Sequence, residues 1–208
     1  MTRLVLVRHG QVPGIDPERF RGRSNLELTA RGRRDAKLTA ARIAAHWHPA
    51  AVLTSPMQRC IETGRQIAAA CSCPQQALES FNDIDYGAWL GRTHQEVRES
   101  SPDAYRLWRT SPQLAQFPAG ESLQEVAARV ADVLRLILER YANDTIVLVG
   151  HDVTNRLLLL QALGLPLAAF WRLAQDPCGI SEMLWIDNTT TLIRMNETAH
   201  LSGAARPT

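Results

Sequence analysis

The stretch "LVLVRHGQ" at residues 4–11 decides how the rest of the chain is read. Leu4 to Val7 form a short apolar run of the kind found in a strand buried on both faces, and it passes directly into Arg8, His9 and Gly10. The arrangement returns in "TIVLVGHDVT" at 145–154, where an apolar run ends on Gly150 and His151. Between them, "AVLTSP" at 51–56 predicts a brief strand through Thr54, with Ser55 as helix cap and Pro56 at the first helical position. Arg59 then falls in the first turn of that helix. Apolar runs alternating with longer helical patterns predict an α/β fold: a three-layer α/β/α sandwich, its mostly parallel central sheet flanked by helices. Ligands collect at the carboxyl ends of strands in such sheets, so His9, Arg59 and His151 are expected to meet in one pocket.

The intervening segments fit this plan. "ELTARGRRDAKLTAARIAAHW" has Thr29 in N-cap position and places Leu38, Ala41, Ile43 and Ala45 among its apolar positions, which predicts a long amphipathic helix. "FNDIDYGAWLGR" at 81–92 has two glycines and reads as a loop with a little extended structure. Thr93 and Glu96 have capping-box spacing, Pro102 restarts the helix they open, and Ser122 with Glu125 repeats the spacing before "LQEVAARVADVLRLILERY". "MLWID" and "TLIRM" flank Asn188 and Thr189 as a hairpin would.

Bulk properties narrow the partners. The 208 residues suit one domain spanning 1–208, since no Gly, Ser or Pro tract divides them. Lys plus Arg number 23 against 21 acidic residues, and the net charge of +2 gives no general electrostatic case for nucleic acid or a membrane surface. No apolar run approaches the roughly 18 residues of a membrane span, and Leu4 to Val7 is too short for a secretory signal. A cytoplasmic protein is expected. Cys60, Cys71, Cys73 and Cys178 read as free thiols. Cys71 and Cys73 could hold half a metal site but have no second pair at ligand spacing, so neither metal nor cofactor is expected. His46, His48, His94 and His200 lack the strand-then-histidine context and read as structural.

These motifs together resemble the histidine phosphatase superfamily, the phosphoglycerate-mutase-like proteins, whose signature is an RHG tripeptide after the first strand. Here that is Arg8, His9, Gly10. The similarity runs on through "FRGRSNLELTARG", with Asn25 where the family pattern has aspartate, then "TSPMQRCIET" with Arg59, "FNDIDYGAWLG", "FPAGESL" and "VLVGH" with His151. The resemblance implies that His9 is the nucleophile that becomes phosphohistidine, surrounded by Arg8, Arg59 and His151. It also implies a general acid in the 81–87 loop, where Asp83 occupies the family's glutamate place and Asp85 competes for the role. Gly10, Gln11, Arg21, Gly22 and Asp152 become candidate substrate contacts, Asp152 also as the cap of the following helix. Gln11 replaces an acidic residue common in relatives, and Ile15 an asparagine.

Physical chemistry supports such a site. Phosphoryl transfer through a loose transition state is catalysed mainly by positioning and fixed positive charge, which two guanidinium groups and a second imidazole supply. Arg98, Arg106 and Arg109 stand singly after the acid loop, without the arginine pair that glycolytic mutases of the family carry. The expectation is therefore a phosphomonoester phosphatase for a small phosphorylated metabolite, with a phosphoglycerate-type mutase and a phospholigand-binding protein of weak turnover as alternatives. Oligomeric state, including a homodimer, is left open.

Overall fold

In the computed structural model, which describes residues 1–15, 17–187 and 189–202, strand β1 (Thr2–Arg8) lies inside the sheet. It pairs in parallel with β4 (Thr145–Gly150) on one side and antiparallel with β5 (Ile180–Ile186) on the other. Its apolar residues face both ways. Leu4 and Leu6 join Ile146 and Leu148 of β4 against the helices α5 (Leu123–Arg140) and α6 (Asp152–Ala162). Val5 and Val7 join Val147 and Val149 against α1 (Ala30–His46) and α2 (Gln58–Cys71). Fully burying each such side chain contributes about 1.5–3 kcal/mol, and only a sheet covered on both faces collects it from every residue of the strand.

Strands β2 (Ala51–Thr54) and β3 (Gln75–Ala77) extend the sheet in parallel beyond β4, and β6 (Thr189–Glu197) closes the other edge against β5. The order is β3-β2-β4-β1-β5-β6, a mixed sheet with helices on both faces. The α/β/α expectation holds.

Local chemistry explains most boundaries. Thr29 Oγ1 accepts from Gly32 N at 3.0 Å, starting α1 where its cap predicted. Both capping boxes form, opening α3 (His94–Ser100) and α5, and Pro102 begins α4 (Pro102–Thr110) at its first position. Several details differ. The buried stripe of α1 runs through Ala36, Thr39, Ala40 and Ile43, leaving Ala41 and Ala45 exposed, because the contact with α2 rather than apolar content alone selects the face. Helix α2 starts at Gln58 with Met57 as cap; Ser55 Oγ accepts from Met57 N at 3.3 Å and from His151 Nε2 at 2.7 Å, ahead of the helix. The three-residue β3, too short for a periodic signal, was not expected. Segment 81–92 holds a 3-10 turn at Gly87–Trp89 and no named strand. The expected hairpin forms from β5 and β6, although Asn188 lies outside the described residues.

The start of α1 is pressed onto the loop after β1. A Cβ on Gly10 would lie 2.6 Å from Gly32 O, and one on Gly32 only 2.1 Å from Gln11 O. Gly32→Ala gains about 1 kcal/mol of helix propensity, but the clash is with backbone and costs about 1–3 kcal/mol. The thermal midpoint is therefore expected to fall, by a few degrees at ~2–4 °C per kcal/mol; a higher midpoint in a melting experiment would contradict this packing.

Candidate active site

Three adjacent parallel strands deliver the candidate residues. The β1–β4 register pairs Arg8 with Gly150, and His9 N continues the ladder by donating to Gly150 O at 3.0 Å. His9 and His151 consequently emerge side by side, with ring centroids 5.3 Å apart. On the far side of β4, β2 ends at Thr54, and the first turn of α2 brings Arg59 into the same space.

Each imidazole is held in one tautomer. His9 Nδ1 lies 2.7 Å from the Gly10 carbonyl, which can only accept, so the proton sits on Nδ1 and the Nε2 lone pair is free. His151 Nδ1 accepts from Arg59 Nε at 3.2 Å, leaving Nε2–H to donate to Ser55 Oγ at 2.7 Å. Burial, reinforced by Arg59 and other nearby charge, holds both histidines well below their ordinary pKa. They are neutral at pH 7.

Arg59 is fully buried and fastens the surrounding loops. It donates to Ser24 O and Gly22 O at 2.7 Å each and to Asp83 Oδ2 at 3.0 Å. Gly22 takes a positive φ of 41°, and a Cβ there would meet Ile84 O at 2.8 Å. Asp83 Oδ1 accepts from Ile84 N at 2.9 Å, while Oδ2 lies 3.5 Å from His151 Nδ1. Burial raises the Asp83 carboxyl above the usual range even though Arg59 pulls the other way. Asp85 faces elsewhere: its Oδ1 accepts from Gly87 N at 2.8 Å, as a turn-capping carboxylate does.

The remaining candidates divide. Arg8 is buried, its NH1 donating to Gln175 O and lying 3.8 Å from Asp152 Oδ1, while its Nε has no protein partner. Gly10 N donates to Thr63 Oγ1, and Gly10 serves the close approach of α1. Gln11 turns away: its Oε1 accepts from Thr29 Oγ1 at 2.8 Å, at the α1 cap. Gly22 contributes its carbonyl to Arg59. Asp152 is the first residue of α6 and not its cap, which is His151; its Oδ2 accepts from Arg156 at 2.6 Å. Strand β4 ends at Gly150 and α6 begins at Asp152, which leaves His151 as the junction residue in cap position.

Arg21 and Asp152, with Asp83 and Gly22, line a cavity above these groups, walled by Phe20, Tyr86, Trp108, Trp171 and His94. Its free space is about 30 Å³. His94, read as structural, stacks on Phe20 at 4.3 Å and also lines this cavity. Arg129 of α5 was missed. It donates to Ser80 O, Asn82 O and Asp83 O and fixes the acid loop; the signal was an arginine three residues after the buried Val126, on an inward-facing stripe. Among the described residues no group of three or more His, Cys, Asp or Glu is placed to hold a metal ion, and no helix is long and apolar enough to cross a membrane.

The family profile of the histidine phosphatase superfamily, branch 1, matches residues 4–198. The chain belongs to that superfamily. Phosphoserine phosphatase 1 of Hydrogenobacter thermophilus is 31% identical over 97% of this chain and 95% of its own length. The probable phosphoglycerate mutase GpmB of Salmonella paratyphi C is 29% identical, over 99% of this chain and 97% of its own. Among solved structures, YhfR of Bacillus stearothermophilus superposes with a TM-score of 0.90 at 26% identity, covering 97% of this chain and all (100%) of that one. The superfamily resemblance read from the RHG stretch is borne out.

Buried neutral histidines make stability depend on pH. On unfolding, His9 and His151 return to an ordinary value near 6.5 and take up protons below it, so their stabilising contribution is present above that value and lost as pH falls. The slope is at most about 1.4 kcal/mol per pH unit from each. Thermal midpoints are expected to drop from pH 7 to pH 5, and His151→Gln should flatten the decline.

Proposed function

We propose that this protein is a phosphomonoester phosphatase acting on a small phosphorylated metabolite through a phosphohistidine on His9, with Asp83 as general acid. One observation carries the reading: the neutral His9, with no protein partner on Nε2, lies 5.3 Å ring to ring from His151 among the Arg59 and Arg8 charges, beside a carboxyl raised by burial. The Nε2 lone pair attacks phosphorus, the ester P–O bond breaks, and the leaving oxygen takes the Asp83 proton. Asp83, now ionised, then accepts a proton from a water whose oxygen attacks phosphorus. The P–N bond breaks, inorganic phosphate leaves, and His9 recovers its lone pair. Arg8 and Arg59 stabilise charge on the equatorial oxygens throughout, so no metal is required.

A mutase would share the first transfer and return the phosphoryl group to substrate; the likeness to GpmB is the observation in its favour. The absence of an arginine pair after the acid loop supports hydrolysis. Residues 1–208 would act as one histidine-phosphatase-like domain, and the free thiols suit a cytoplasmic setting without nucleic-acid or membrane partners.

Acid quench during turnover of a labelled phosphomonoester should place the label on His9, and His9→Ala should abolish turnover; hydrolysis by the variant at the parent's rate overturns the nucleophile. Excess chelator is expected to leave the rate unchanged. Asp83→Asn should slow turnover by about 10²–10⁴-fold. Because His9 must be neutral and Asp83 protonated, kcat/KM should fall as pH rises through the raised pKa of Asp83 and fall in acid as His9 protonates. Asp83→Asn should remove the decline on the high-pH limb.

A further inference from the structure

Arg8 is held by a part of the chain that carries none of the sequence motifs. Its NH1 donates to the main-chain oxygen of Gln175, while its Nε is buried and has no protein partner. Gln175 belongs to the segment 173–179, which leads into β5 and wraps the end of β1: Arg8 N donates to Gly179 O at 3.3 Å, and Cys178 N donates to Arg8 O at 3.0 Å. A carbonyl is only as well placed as the chain that carries it, and residues 173–176 lie in no helix or strand.

Two neighbours on α6 anchor that segment. Asn155 Nδ2 donates to Gln175 Oε1 at 3.2 Å, and Arg156 Nε donates to Leu173 O at 2.6 Å. Asn155 is 0% exposed and Gln175 6%. The Ala174 carbonyl sets the orientation of both amides: it can only accept, and Gln175 Nε2 donates to it at 2.8 Å, so Asn155 meets the oxygen of Gln175 and must do so with its NH2. The Asn155 side chain is itself wedged beside the strand end that delivers His151, since a Cβ on Gly150 would lie 2.3 Å from its Oδ1. On the other side of Arg8, Asp152 Oδ1 is 3.8 Å from NH1, and its Oδ2 accepts from Arg156. The guanidinium is thus enclosed between the first turn of α6 and residues 173–175. Burying two amides costs free energy unless they are paired, and what this pair fixes is the place of one carbonyl.

We propose that Gln175 is a positioning residue for Arg8, with Asn155 as its anchor. The amide pair fixes the Gln175 carbonyl, the carbonyl fixes the guanidinium, and the unpaired Nε is thereby held ready for a phosphoryl oxygen. A misplacement of about 1 Å can cost on the order of 10²-fold in rate, which gives a clasp remote from the chemistry its leverage. The inference rests on the phosphatase reading for its kinetic test and not for its spectroscopic one.

Asn155→Leu combined with Gln175→Met removes both amides at nearly constant volume, so neither is left stranded and the protein should fold. The double variant should lose about tenfold or more in kcat/KM for a phosphomonoester. In an Arg8→Lys background, where the guanidinium is gone, the same two changes should cost less than about twofold, because residues that act through one another are not additive. Equal losses in the two backgrounds, as a merely structural pair would give, or no loss in the first, overturn the proposal. With arginine labelled with nitrogen-15, the Arg8 Nε proton, identified by its absence in Arg8→Lys, should exchange with water about tenfold faster or more in the double variant. An unchanged exchange rate in a folded variant also overturns it. Should the double variant not fold, Gln175→Met alone is read in the same way. A parent without turnover refutes the phosphatase reading and leaves the exchange rate to decide this one.

Discussion

A single fully buried guanidinium ties the proposed site together. Arg59 reaches from the first turn of α2 to the carbonyls of the 20–25 loop, to His151 at the end of β4 and to Asp83 in the acid loop. A buried cation is tolerated only when its donors are satisfied. That constraint pulls segments far apart in sequence into one place. The left-handed Gly22 follows from the same demand, since it brings its carbonyl to Arg59 where a side chain would meet Ile84 O; Gly10 and Gly32 instead seat α1 on the loop after β1.

The electrostatics of the pocket follow from burial more than from any one pair. Desolvation keeps His9 and His151 neutral and raises Asp83, so positive charge resides on arginine alone, which does not titrate near neutrality. The tautomers are set by fixed backbone and side-chain partners, the Gly10 carbonyl for His9 and Arg59 for His151. Under the proposed function, a phosphoryl group would meet a His9 Nε2 lone pair already oriented. Arg129 extends the arrangement outward by gripping the carbonyls of Ser80, Asn82 and Asp83, so Asp83 is positioned from two sides.

The fold was readable because each cue was local. Apolar runs at 4–7 and 146–149 buried on both faces, the caps at Thr29, Ser122 and Thr93, and Pro102 at a helix start all depend on neighbours within a few residues. Where reading failed, the deciding contact was distant. Helix α2 began only at Gln58, past a Ser55 also held by His151, and Gln11 turned to Thr29. The choice between Asp83 and Asp85 was likewise beyond the sequence, since their neighbourhoods differ only once Arg59 arrives on one side and Gly87 on the other.

By itself, then, the sequence determined the alternation of strand and helix, the superfamily, and which residues are released at strand ends, because these follow from periodicity and side-chain chemistry along the chain. Tertiary structure alone decided which carboxylate is desolvated, which tautomer each imidazole takes, and which aromatic residues wall the cavity. Burial and hydrogen-bond pairing are properties of the assembled interior, set by parallel registers such as Arg8 with Gly150 that bring residues more than a hundred positions apart into contact.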